Sequence, residues 1–139
     1  MHSPDNPEVL AVCRMSKKLK ILLAEDEPSL CRYIETLLSR WKCEVLVEQT
    51  AERAIQRAAT FKPDVALIGY CTPGMNGANA GIELLKVSPG TQIVLWNEPV
   101  PPDVLSDLTG RGYNFRTLAA PFDEEELRTV CFSSHHQTE

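Results

Sequence analysis

Five short apolar runs alternate with stretches of helical periodicity, and that alternation limits the folds open to this chain more than any other feature. The runs are Ile21–Ala24, Val45–Val47, Val65–Ile68 and Ile93–Trp96, with a weaker one at Phe115–Ala119. They have strand length and continuous rather than alternating apolarity, which marks strands covered on both faces, as in a parallel sheet. Leu30, Ile34, Leu37, Leu38 and Trp41 recur at spacings of three and four after Pro28, a suitable first-turn residue, and predict a first helix. Thr50 is placed to cap a second, whose inner stripe is Ala51, Ala54, Ile55, Ala58 and Ala59. Ile82, Leu84 and Leu85 predict a third, stopped by Ser88-Pro89-Gly90. Val104, Leu105 and Leu108 mark a fourth after Pro101 and Pro102, and Leu127, Val130 and Cys131 a fifth. Asp123 to Glu126 lie near the positive end of that last helix. Strand and helix alternating in this way predict an α/β protein: a doubly wound, three-layer (βα)₅ sheet.

With 139 residues, the chain has the size of one domain with one core. Apolar residues at 43% and charged residues at 24% are ordinary for a globular domain and argue against general disorder. No apolar run approaches the ~20 residues that span a bilayer, and no signal-peptide core follows Met1. A net charge of −5 disfavours non-specific binding to nucleic acid or an anionic membrane. Cys13, Cys31, Cys43, Cys71 and Cys131 are scattered without a C-x-x-C pair, so they read as small buried hydrophobes in a reducing compartment, the cytoplasm. Residues 1–18 read as a leader outside the fold. Met15 stands just before the first apolar segment as an alternative start, which leaves open whether residues 1–14 are native. Residues 19–132 form the domain and 133–139 a polar tail. The length leaves little room for an output domain, so the expectation is a domain that acts alone.

In doubly wound sheets, ligands bind beyond the carboxyl ends of the strands, near the switch point. The first strand ends in Glu25 and Asp26, just ahead of a helix. Adjacent carboxylates there suit a hard divalent cation such as Mg²⁺, and equally suit a solvated acidic turn at a helix N-terminus. The histidines are His2, His135 and His136, all terminal, so no Ser/His/Asp or Cys/His set is available and no enzyme is expected. Gly74, Gly77 and Gly81 are not spaced as a dinucleotide-binding loop. No organic cofactor is expected.

Three segments then carry a resemblance. Ala24-Glu25-Asp26-Glu27-Pro28, Pro63-Asp64-Val65-Ala66-Leu67-Ile68-Gly69 and Pro73-Gly74-Met75-Asn76-Gly77, followed by Ala120-Pro121-Phe122, resemble the receiver domain of bacterial response regulators, the CheY-like superfamily. The resemblance runs from about residue 19 to 132. It implies a flavodoxin-like fold with sheet order 2-1-3-4-5, and a place in two-component phosphorelay signalling, where a histidine kinase donates a phosphoryl group to an aspartate.

Several positions depart from the family pattern. The phosphoacceptor position at the end of the third strand is Gly69, which has no side chain to form an acyl phosphate. The Thr/Ser position is Trp96, the Lys position Ala120, and the switch-aromatic position Thr117. Of the active constellation only Glu25 and Asp26 remain, so any Mg²⁺ binding is expected to be weak or absent. Cys71 and Thr72 lie past the third strand, and Asp64 lies about 16 Å away at its other end, so none is expected to replace the aspartate. Two replacements remove volume and one adds it, and interiors are close-packed. The Trp96 indole is therefore expected to fold over the space at Gly69 and Ala120.

The resemblance further implies signalling through the fourth helix, fifth strand and fifth helix, here roughly residues 103–132. Exposed candidates on that face are Asp103, Asp107, Arg111, Arg116, Glu125 and Arg128. The leading expectation is a degenerate, stand-alone receiver that binds a protein partner (a histidine kinase, a response regulator or another signalling protein) without phosphorylation, with a homodimer left open. The alternatives are a cation or small-ligand sensor using Glu25 and Asp26, and a phosphorelay receiver using a neighbouring residue.

Overall fold

The computed structural model describes residues 18–71 and 74–132. Strands β1 (Lys20–Ala24), β2 (Glu44–Glu48), β3 (Val65–Gly69), β4 (Gln92–Asn97) and β5 (Arg116–Ala119) alternate with helices α1 (Pro28–Arg40), α2 (Ala51–Phe61), α3 (Gly77–Val87), α4 (Pro102–Gly110) and α5 (Glu124–Phe132). The strands form one parallel sheet in the order β2-β1-β3-β4-β5. This is the doubly wound sheet that the alternation predicts, in the flavodoxin-like strand order that the resemblance implies. Residues 1–17 of the leader, with Cys13, the tail, Thr72 and Pro73 lie outside the described residues.

Side chains of successive strand residues point to opposite faces, and the buried residues divide accordingly into two clusters. Ile21, Leu23, Val65, Leu67, Val94, Trp96 and Leu118 face α1 and α5. Leu22, Ala24, Ala66, Ile68, Ile93 and Leu95 face α2, α3 and α4. The three central strands are buried along nearly their whole length, as continuous apolarity requires. At one edge, Val45–Val47 are only half-buried, because β2 has a single neighbour in the sheet. At the other edge, β5 buries Leu118 alone and leaves Thr117 and Ala119 exposed.

Helix ends follow local chemistry. The Thr50 hydroxyl accepts the Arg53 N–H at 3.2 Å, so the predicted cap of α2 is present. Glu27 caps α1 by accepting the Leu30 N–H at 3.0 Å. Asp123 and Glu126 cap α5 reciprocally, each carboxylate accepting the other's backbone N–H at 2.8 and 2.9 Å. Ala59, expected on the inner stripe of α2, is exposed, because the burial period runs through Ala51, Ala54 and Ala58 and turns away after it. Trp41 lies just past the last turn of α1 and is half-buried, edge-on to Phe132. Among the described residues, no helix is long and apolar enough to cross a membrane.

Candidate functional site

The sheet order places the carboxyl ends of β1, β3 and β4 side by side, with the switch point between β1 and β3. Glu25 follows β1 directly, and its N–H continues the ladder by donating to the Glu48 carbonyl at 3.0 Å. Only 6% of the residue is exposed. Its Oε2 accepts the Glu27 N–H at 3.2 Å, and its carbonyl accepts the Cys31 Sγ–H at 3.3 Å. Burial pushes the Glu25 carboxyl above its ordinary pKa, and the charges of Asp26 and Glu98 add to that, partly offset by the Glu27 N–H. Asp26, the next residue, is exposed. The two carboxylates are thus not equivalent: one is built into the turn, the other faces solvent.

Glu98 joins the site although no motif or spacing marks it. Its Oε1 accepts the Cys71 N–H at 3.3 Å and its Oε2 accepts the Asn97 amide at 3.1 Å, so it ties the loop after β3 to the loop after β4. Asn97 sits in the left-handed region at φ 79°, a conformation that asparagine tolerates better than most residues. That turn redirects the chain after Trp96 and brings Glu98 back toward Glu25.

Gly69 ends β3 and is paired in register with Trp96, which is in turn paired with Leu118. Register partners in a parallel sheet share a face, so Gly69, Trp96 and Leu118 lie in one row across the α1/α5 side of the sheet. Trp96 is completely buried and packs against Phe122, with ring centroids 6.0 Å apart and a tilt of 58°. Its Nε1–H has no hydrogen-bond partner among the described residues. Beside glycine, which occupies no side-chain volume, the largest side chain in the core thus fills the row. Ala120 is exposed, its N–H donating to the Asn97 carbonyl at 2.9 Å.

The loop after β3 is held by a close approach. Gly77 donates its N–H to the Tyr70 carbonyl at 2.7 Å, and a Cβ at position 77 would lie 2.8 Å from both the Gly69 carbonyl oxygen and the Tyr70 Cα. A glycine there lets α3 start hard against the end of β3.

Other sequence candidates are dispersed. Asp64 lies at the opposite end of β3, where its Oδ2 accepts the Lys20 N–H at 2.8 Å. Cys31, Cys43 and Cys131 are buried, with burial pushing the Cys43 and Cys131 thiols up to about 11 and about 12. Cys71, expected to be buried with them, is exposed, because it sits in the loop that leaves the sheet. Arg116, expected to be exposed, is half-buried in β5.

The donor set is short for Mg²⁺. One Glu25 oxygen is already engaged by a backbone N–H, Gly69 offers no side-chain oxygen, and no group of three His, Cys, Asp or Glu residues is arranged for a metal among the described residues.

Residues 21–131 match the family model of the response regulator receiver domain. The chemotaxis protein CheY of Thermotoga maritima is 26% identical over 77 residues, which are 55% of this chain and 64% of that protein, so less than two-thirds of the relative is matched. A CheY-like receiver domain protein from Methanospirillum hungatei superposes with a TM-score of 0.79 at 16% identity, covering 87% of this chain and 96% of that one. The receiver domain of a Pseudomonas aeruginosa sensor histidine kinase, solved with a magnesium ion in its active-site cleft, gives 0.70 at 23%, covering 83% and 95%. At these identities the structural likeness is one of fold, and the family match extends it to sequence. The chain belongs to the response regulator receiver domain family.

Proposed function

We propose that this receiver takes up no phosphoryl group and works as a protein-interaction module of two-component signalling, through the face spanning residues 103–132. The observation that carries the reading is the pairing of Gly69 with Trp96. An acyl phosphate needs a carboxylate at the end of β3, and Gly69 has none. A transferred phosphoryl group needs space and cationic stabilisation. The row beside Gly69 holds a fully buried indole, and position 120 carries a methyl group where the family has an ammonium. The buried carboxylate of Glu25 and the adjacent Glu98 make the rim negative, which repels a phosphoryl donor. Mg²⁺ binds weakly or not at all, because Gly69 removes one of the family's three carboxylates. In this reading residues 19–132 are one cytoplasmic, non-enzymatic receiver whose surface does not depend on phosphate.

Incubation of the purified chain with acetyl phosphate and Mg²⁺, followed by intact mass spectrometry, is expected to give no phosphoryl adduct. An acid-labile adduct, wherever it maps, overturns the reading.

A further inference from the structure

We infer that residues 99–102 form a rigid polyproline II ridge that docks into a partner protein's groove lined by tryptophan and tyrosine rings. The inference rests on the reading of this receiver as an interaction module, and it adds a contact site outside residues 103–132.

The segment Pro99-Val100-Pro101-Pro102 sets two prolines three residues apart, which is one turn of a polyproline II helix. Proline fixes its own φ at about −65° and holds the residue before it in an extended or polyproline II conformation. Glu98, Val100 and Pro101 each precede a proline, so covalent chemistry alone stiffens the segment. Pro101 accordingly has φ −57° and ψ 142°, in the polyproline II region. That ψ, with the fixed φ of Pro102, keeps the Pro102 ring in the same helical register although Pro102 itself opens α4. One proline at the first helical position is enough to start a helix. The helix makes no such use of Pro99.

Val100 is half-buried against the cluster on the α2, α3 and α4 side, while Pro99, Pro101 and Pro102 are exposed. A helix of three residues per turn with one edge turned inward leaves two edges outward, and Pro99 and Pro102 share one of them. The ridge is fastened at both ends. Glu98 ties its start to the loop after β3 by accepting the Cys71 N–H at 3.3 Å. At its other end the Pro101 carbonyl accepts the Val104 and Leu105 N–H groups at 3.0 and 3.2 Å. Between these anchors, the Pro99 carbonyl and both backbone polar groups of Val100 have no hydrogen-bond partner among the described residues. Convex pyrrolidine rings beside free carbonyls fit flat aromatic rings that bring their own donors, the indole N–H and the phenol O–H. A ridge that is already rigid gives up little conformational freedom on binding.

The test titrates the full ¹⁵N-labelled chain with a panel of isolated WW, SH3 and EVH1 domains, whose aromatic grooves take polyproline II ligands. At least one member is expected to shift the amides of Glu98, Val100, Asp103 and Val104 and to saturate. Pro99→Ala with Pro102→Ala is expected to weaken that binding about tenfold. Pro89→Ala, at an exposed proline between α3 and β4, is expected to leave it unchanged. A retained amide spectrum confirms that each variant is folded. Absence of binding by every member, or equal weakening by Pro89→Ala, overturns the inference. Shifts over residues 103–132 that survive the double proline change overturn the ridge and leave the interaction face standing. Phosphoryl incorporation is scored separately, so failure of the ridge and failure of the phosphate-free reading are distinguishable.

Discussion

Replacing Trp96 by phenylalanine and by alanine separates two opposing contributions of one side chain. The indole is fully buried in the cluster that includes Ile21, Leu23, Val94 and Leu127, and its ring lies 6.0 Å from that of Phe122. Truncation to alanine removes that packing and leaves a cavity in the cluster, at a cost of about 3–5 kcal/mol. The Nε1–H, however, is a buried donor with no partner among the described residues, and an orphaned donor costs about 1–3 kcal/mol. Phenylalanine keeps one six-membered ring against Phe122 and discards the orphan, while losing the remaining ring atoms at roughly 1–2 kcal/mol. The two changes nearly cancel. Trp96→Phe is therefore expected within about 1 kcal/mol of the parent, and Trp96→Ala well below it. Urea unfolding followed by circular dichroism measures both without relying on the fluorescence of the residue removed, and a difference of 1 kcal/mol corresponds to about 4 °C in Tm for a domain of this size. If phenylalanine costs as much as alanine, Nε1 is satisfied and the orphaned-donor reasoning fails.

Gly77→Ala puts a Cβ 2.8 Å from backbone atoms of Gly69 and Tyr70, which cannot rotate away, and is expected to cost about 1–3 kcal/mol by chemical denaturation. Gly90→Ala, where a Cβ meets nothing within 4 Å, serves as the neutral control. Because the folded-state pKa of Glu25 is raised, the folded protein holds this proton more tightly than the unfolded chain, so the stability linked to it is present in acid and lost as pH rises through the folded pKa. Glu25→Gln is accordingly expected to raise Tm at pH 7, with the gain shrinking as pH falls below the ordinary glutamate range; a gain that grows in acid contradicts the burial argument. Asp123→Ala removes one half of the reciprocal cap on α5 and is expected to cost about 1 kcal/mol, read in the same unfolding assay.

The strands and helices were legible because period and burial coincide where a sheet is covered on both faces. Ile21–Ala24 and Val65–Ile68 are continuous apolar runs and are buried throughout, and Thr50 caps where a threonine before an alanine stripe should. Edges blurred the pattern. Val45–Val47 read like a central strand, but position in the sheet, which no run of residues encodes locally, left them half-buried. The cap between Asp123 and Glu126 is encoded in the D-x-x-E spacing, which the charge of the acidic cluster masks. Glu98 carried no such signal: its role arises from the positive φ of Asn97 and the approach of two loops distant in sequence. The Glu25–Asp26 pair was visible as two carboxylates, yet their inequality, one buried and one exposed, depends on how the turn into α1 closes.

On the proposed reading, the Gly69–Trp96 pairing, and not the missing aspartate alone, keeps phosphate from this receiver. The measurement that addresses it most directly is phosphoryl incorporation from acetyl phosphate with Mg²⁺ into Gly69→Asp, beside a variant that also carries Trp96→Thr and Ala120→Lys. The single variant is expected to stay unlabelled and the triple variant to be labelled, with the amide spectrum of each showing a folded domain. Labelling of Gly69→Asp alone would contradict that reading.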